Sequence, residues 1–160
     1  MSSTINHLEM TSRVDFRSSK IPAGLEMRKV FDPEINSRFY REVGNKWLWT
    51  DRLAWTNEEW SRWVGREVLH TLVAYFEGEE AGYVELEMQE SGSLEIVYFG
   101  LLPGMIGKGL GGGMLTMAVE RAWEIEGTKR VWLHTCTEDH PHAASNYEKR
   151  GFRLFHTETL

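Results

Sequence analysis

The sequence predicts an α/β (α+β) fold, a mixed, mostly antiparallel central sheet with helices on both faces. Three observations predict it. Val68 to Leu102 reads as three strands joined by tight turns, Glu77-Gly78-Glu79-Glu80 and Ser91-Gly92-Ser93, which makes an antiparallel meander. Gly109 to Glu126 then carries Leu110, Met114, Ala118, Ala122 and Ile125 on one stripe, with Leu115 and Val119 beside it, as an amphipathic helix does. Val131 to His156 finally reads as strand, helix, strand.

Taken from the start, Met1 to Pro22 is polar and rich in Ser and Thr, and is expected to be a flexible tail with room for one added strand. Residues 23–160 are expected to form a single domain. Gly24 to Val30 is a short strand. Asp32-Pro33-Glu34 opens a helix, with Asp32 as N-cap and Pro33 at the first helical position. Ile35, Phe39, Tyr40 and Val43 continue it at helical spacing to Gly44. Asn57-Glu58-Glu59 opens a second helix carrying Trp60 and Trp63. After the meander and the long helix, Val131 to Cys136 is a buried strand, Pro141 to Arg150 a helix capped by Gly151, and Phe152 to His156 the last strand.

Composition bounds the function. The chain has 160 residues, 41% hydrophobic and 26% charged, which is ordinary globular usage. Its net charge of -6 argues against a phosphate-binding surface for nucleic acid. No apolar run approaches the roughly 20 residues of a membrane span, and the first twenty residues lack a signal-peptide core. The single cysteine, Cys136, excludes an intramolecular disulfide and fits a reducing compartment. A cytoplasmic protein, monomeric or homodimeric, acting on a small molecule or a peptide is the expectation.

The chemistry signal is Ile106-Gly107-Lys108-Gly109-Leu110-Gly111-Gly112-Gly113, between a strand and a helix. Glycines let backbone N–H groups face an anion, the helix dipole adds partial positive charge, and Lys108 adds a full one. Five glycines within seven positions weaken a helix start, more than a tight turn requires. The run formally matches G-x-G-x-x-G, but a dinucleotide fold places that loop after its first strand with parallel strands following. A P-loop ends on Lys followed by Ser or Thr, which is absent here.

Glu95 to Phe152 resembles the GNAT acyl-CoA N-acyltransferase superfamily. The family's Arg/Gln-x-x-Gly-x-Gly/Ala signature reads here from Ile106 to Gly111, with Ile106 in place of Arg or Gln. A second stretch, Asn-x-x-Ala leading to Leu-Tyr-x-x-x-Gly-Phe, reads His140 to Ala143 and Asn146 to Phe152, with His140 replacing Asn and Asn146 replacing Leu. The resemblance implies acetyl-CoA as cosubstrate, no metal, and direct attack by a primary amine. It implies that the amides of Ile106, Gly107, Lys108, Gly109, Leu110, Gly111 and Gly112 hold the pyrophosphate. It further implies that the backbone of Phe99 to Leu102, with Leu101 between, pairs with the pantetheine arm and polarises the thioester carbonyl. His140 and Asn146 are placed near the same cosubstrate.

An ammonium acceptor must lose a proton near neutral pH. Glu95, where several family members carry a catalytic Glu, is the candidate base, and strand alternation sets it on the face of Val97, Phe99 and Leu101. Glu85 and Glu87, on one face of the neighbouring strand, are fallback bases acting through water, and Glu85 is also a candidate for acceptor binding. Tyr147 stands where the family's acid protonates the departing thiolate. Trp47, Trp49, Trp55, Trp60 and Trp63 are five tryptophans within seventeen positions. Most are expected to pack helices on the sheet, whereas Trp49 and Trp55, flanking Asp51 and Arg52, are pocket candidates for a flat or cationic acceptor. His134, Cys136, His140 and His142 match no structural zinc spacing. A module of the same fold that binds CoA or an amino compound without turnover is the alternative to an enzyme.

Overall fold

A computed structural model describes residues 3–47, 49–137, 139 and 141–159. Its elements are β1 Thr4–Met10, β2 Leu25–Val30, α1 Pro33–Gly44, α2 Asn57–Val64, β3 Leu69–Phe76, β4 Glu79–Met88, β5 Ser93–Leu101, α3 Gly111–Glu124, β6 Arg130–Cys136, α4 Ala143–Lys149 and β7 Arg153–Thr159. The strands form one sheet in the order β2-β3-β4-β5-β6-β1-β7. Each neighbouring pair is antiparallel except β5 and β6.

The caps explain where helices begin. Asp32 accepts the Glu34 N–H at the head of α1, followed by Pro33. Thr56 and Glu59 close a reciprocal capping box at the head of α2. These helices cover one face of the sheet, where Phe39 and Val43 of α1 pack on Val73 and Tyr83. On the opposite face, Leu110, Met114, Leu115 and Ala118 pack against Val84, Leu86, Ile96 and Leu133. Each fully buried side chain of this size contributes about 1.5–3 kcal/mol.

The stretch expected as a tail is largely built into the fold. Thr4–Met10 lies inside the sheet, paired with β6 on one side and β7 on the other. Leu8 and Met10, at strand spacing, are 2% and 1% exposed in the main core. Further along, the Ser19 N–H donates to Thr116 Oγ1 of α3 at 2.9 Å. Two buried apolar side chains outweigh the Ser- and Thr-rich composition around them.

One irregularity in β5 resets its faces. Glu85 pairs with Tyr98, but Leu86 pairs with Ile96, so Val97 is an extra residue. Such a bulge shifts side-chain alternation by one. Glu95 therefore shares a face with Glu87, Glu85, Tyr98 and Gly100, not with Phe99 and Leu101 as simple alternation predicts.

Candidate active site

The site arises where the sheet opens. β5 and β6 pair in parallel only over Ser93–Glu95 against Arg130–Trp132. Beyond that point they separate, leaving a cleft of about 750 Å³. Phe99 and Leu101 of β5, His134 and Cys136 of β6, and Asn146 and Tyr147 of α4 line it. Leu102 donates its N–H across to Ala81 O of β4 at 2.7 Å. Backbone groups of successive strand residues point to opposite edges, so those of Leu101 and Phe99 face the gap. That leaves β5 a free edge for an extended ligand. The N–H of Leu102 itself is already used.

At the mouth of the gap, Gly107 and Gly109 adopt φ of 89° and 76°, which side chains resist. α3 then begins at Gly111 without a side-chain cap bond from Leu110. Its first amides are therefore available to an anion. Two groups converge there from elsewhere. A Cβ placed on Gly112 would meet Ser19 Oγ at 3.0 Å and Arg150 Nη1 at 3.4 Å. Arg150 Nε is buried with no hydrogen-bond partner among the described residues. A guanidinium whose Nη1 approaches the first turn of α3, and whose buried Nε has no partner among the described residues, fits a phosphate group. Asn146 Nδ2 donates to Gly111 O at 3.2 Å and fixes α4 against this loop.

At the closed end of the gap, Glu95 is 8% exposed. Gln89 Nε2 donates to both Glu95 Oε1 and Glu87 Oε1 at 2.8 Å, and Gln89 Oε1 accepts from Trp132 Nε1. Burial pushes the Glu95 carboxyl up to about 7, aided by the charge of Glu87 and opposed by the Gln89 hydrogen bond and by Arg52. Its Oε2 lies 3.7 Å from His134 Nε2. His134 lines the cleft, and burial of its ring together with the charge of His7 holds its pKa below the usual value. Tyr147 packs edge-on to Phe99 and Phe152, and its burial raises the phenol pKa.

Residues 33–152 match the acetyltransferase (GNAT) family. The chain belongs to this family. Among solved structures it is similar to a GCN5-related N-acetyltransferase from Kribbella flavida, at 20% identity and TM-score 0.69, over 98% of this chain and 58% of that one. A GCN5-related N-acetyltransferase from Sphaerobacter thermophilus matches at 20% identity and TM-score 0.67, over 99% and 50%. An acetyltransferase of the GNAT family from Streptococcus pneumoniae matches at 21% identity and TM-score 0.62, over 82% and 86%. Likeness at these identities concerns the fold. The chain spans 58% and 50% of the first two proteins. No curated protein matches it.

The GNAT cleft gathers most of the residues singled out in the sequence. Phe99, Leu101, Ile106, Gly107, Gly109, Leu110, Gly111, Gly112, Asn146, Tyr147 and Trp49 line it. Lys108 is exposed and outside the lining, and Leu102 faces a separate groove beside Trp49. His140 lies outside the described residues. Glu95 is outside the lining, and its Oε2 lies 3.7 Å from His134, which is part of it.

Glu85 and Trp55 are placed differently from the expectation of an acceptor site. Glu85 is fully buried and takes hydrogen bonds from Asn36, Arg52 and Trp63. The Arg52 guanidinium lies 4.6 Å from the Trp55 ring, 4.2 Å from Trp63 and 4.6 Å from Tyr98. Trp55 thus covers a cation supplied by this chain. Among the residues that sequence reasoning missed, Arg150 and Ser19 converge from the end of α4 and from the N-terminal stretch. No local pattern links them to the glycine loop.

Proposed function

We propose that this GNAT chain transfers an acetyl group from acetyl-CoA to a primary amine, by direct attack in a ternary complex. The observation that carries the reading is the open β5 edge running into a glycine loop that the Arg150 guanidinium approaches, its Nε without a partner among the described residues. Ile106 to Gly112 and Arg150 hold the pyrophosphate, with Ser19 beside them. The free backbone groups of Phe99 and Leu101 receive the pantetheine arm and donate to the thioester oxygen. Acetyl-CoA, when bound, supplies the activated acyl group.

The acceptor approaches past Trp49 and Asp51, both in the cleft wall. An aromatic face and a carboxylate suit an ammonium group. His134 stands between the cleft and Glu95, so the proton leaves the amine nitrogen for the His134–Glu95 pair. A carboxyl with a pKa of about 7 is matched to that task near neutral pH. Tyr147 keeps its phenolic proton at neutral pH, and this proton goes to the departing sulfur. The chemistry suits a small-molecule or peptide amine in the cytoplasm.

Calorimetry with acetyl-CoA, CoA and NAD tests the cleft, and thiol release with an amine panel tests turnover. Micromolar binding of acetyl-CoA and CoA but not NAD, with thiol release dependent on an amine, is expected. Absence of acetyl-CoA binding would sink the reading. Binding without thiol release for any amine would leave a binding module.

A further inference from the structure

The open side of the sheet carries a row of histidines that the acetyl-transfer reading does not use in full. β6, β1 and β7 bring His134, His7 and His156 directly opposite one another in register. The alignment depends on a second bulge. Leu8 pairs with Leu154 but His7 pairs with His156, leaving Phe155 as the extra residue. Without it, His156 would share the face of Leu154, turned away from His7. Glu158, two residues further along β7, falls on the same face as His156.

The donor atoms of His7, His156 and Glu158 all lie within 4.8 Å of one another. His7 Nε2 is 2.8 Å from Glu158 Oε1, and His156 Nε2 is 3.7 Å from the same oxygen. Ligands about 2.0–2.1 Å from a tetrahedral zinc ion sit about 3.3 Å apart, a spacing these two distances bracket. The Glu158 and His156 side chains are 48% and 57% exposed, which leaves them room to adjust and leaves solvent a coordination position. Trp132 stacks on His7 at 6.2 Å and restrains its ring.

We infer that His7, His156 and Glu158 form a binding site for a late first-row divalent cation, best fitted to zinc. Two imidazoles and one carboxylate favour such ions over magnesium or calcium, which prefer all-oxygen sets. The ion would tie the edge strand β7 to β1 through side chains, and the inference stands apart from acetyl transfer.

Zinc chloride is titrated into the full chain by calorimetry, with magnesium chloride as comparison. Cobalt(II) absorption reports the coordination geometry. One zinc per chain is expected, with no magnesium heat and a visible tetrahedral cobalt band. His156→Ala and Glu158→Gln should each weaken zinc at least tenfold, while Cys136→Ser should leave it unchanged. Each variant must retain the cooperative melt of the parent, which exposed edge-strand positions permit. Zinc should also raise the melting temperature of the parent and not of His156→Ala. No zinc binding up to millimolar concentration, equal binding by both cluster variants, or loss in Cys136→Ser would each overturn the assignment. The first of these would reduce the cluster to a His7–Glu158 hydrogen bond.

Discussion

Arg52 and Glu85 form a buried ion pair, Nη1 to Oε1 at 3.0 Å, with side chains 6% and 0% exposed. Asn36 Nδ2 and Trp63 Nε1 supply the carboxylate's other hydrogen bonds at 2.9 and 2.8 Å. The pair joins the loop before α2 to the centre of β4. Removing one partner of such a pair strands the other charge at a cost of about 3–5 kcal/mol. Arg52→Met should therefore lower the melting temperature by about 10 °C in a scan. Arg52→Met with Glu85→Leu should recover part of that loss, because no buried charge then remains.

Glu95→Gln should change stability and activity in opposite directions. The folded pKa of about 7 lies above the ordinary 4.5, so the folded state favours the protonated form. That contribution is fully present below pH 4.5 and is lost as pH rises through about 7. The variant escapes the loss and should be more stable than the parent at pH 8 by on the order of 1–3 kcal/mol, with the difference fading toward pH 4.5. Its turnover should fall about 100-fold or more. The rise of kcat/KM through pH 7 should vanish with it. Denaturant melts and pH–rate profiles on the same samples check both.

Arg150→Gln should weaken CoA by about 10- to 100-fold, since hydrogen bonds to charged groups contribute about 1.5–3 kcal/mol. Calorimetry checks it. Dissociation constants within a factor of two of the parent would remove Arg150 from the anion site.

Tyr147→Phe should lower turnover by at least about tenfold, the low end for a lost acid, with CoA affinity preserved. The ring packing on Phe99 and Phe152 survives this change. Steady-state rates beside CoA titration separate the two effects.

Deleting residues 1–12 should abolish cooperative folding rather than trim a tail. The deletion removes β1 from between β6 and β7 and exposes the core that Leu8 and Met10 fill. Near-UV circular dichroism of the shortened chain checks it.

Much of this architecture is legible along the chain. The Asp32-Pro33 start of α1, the meander of β3 to β5 and the apolar stripe of α3 all depend on neighbours a few residues apart. The glycine run and the Tyr147 to Phe152 stretch carry the family for the same reason. β1 is harder to read, because its alternation is short and set among Ser and Thr.

The amino-acid sequence by itself determined the class of fold, the family and the glycine-rich loop, since period, capping and glycine spacing are local properties. Only the tertiary structure decided which side chains meet. The Val97 bulge turned Glu95 away from Phe99, a one-residue insertion in pairing that has no periodic signature. Arg52 filled the aromatic cage that tryptophan density had suggested for an acceptor. Ser19 and Arg150 reached Gly112 from opposite ends of the chain. Contacts across that separation are set by how sheets and helices pack, and no window of sequence contains both partners.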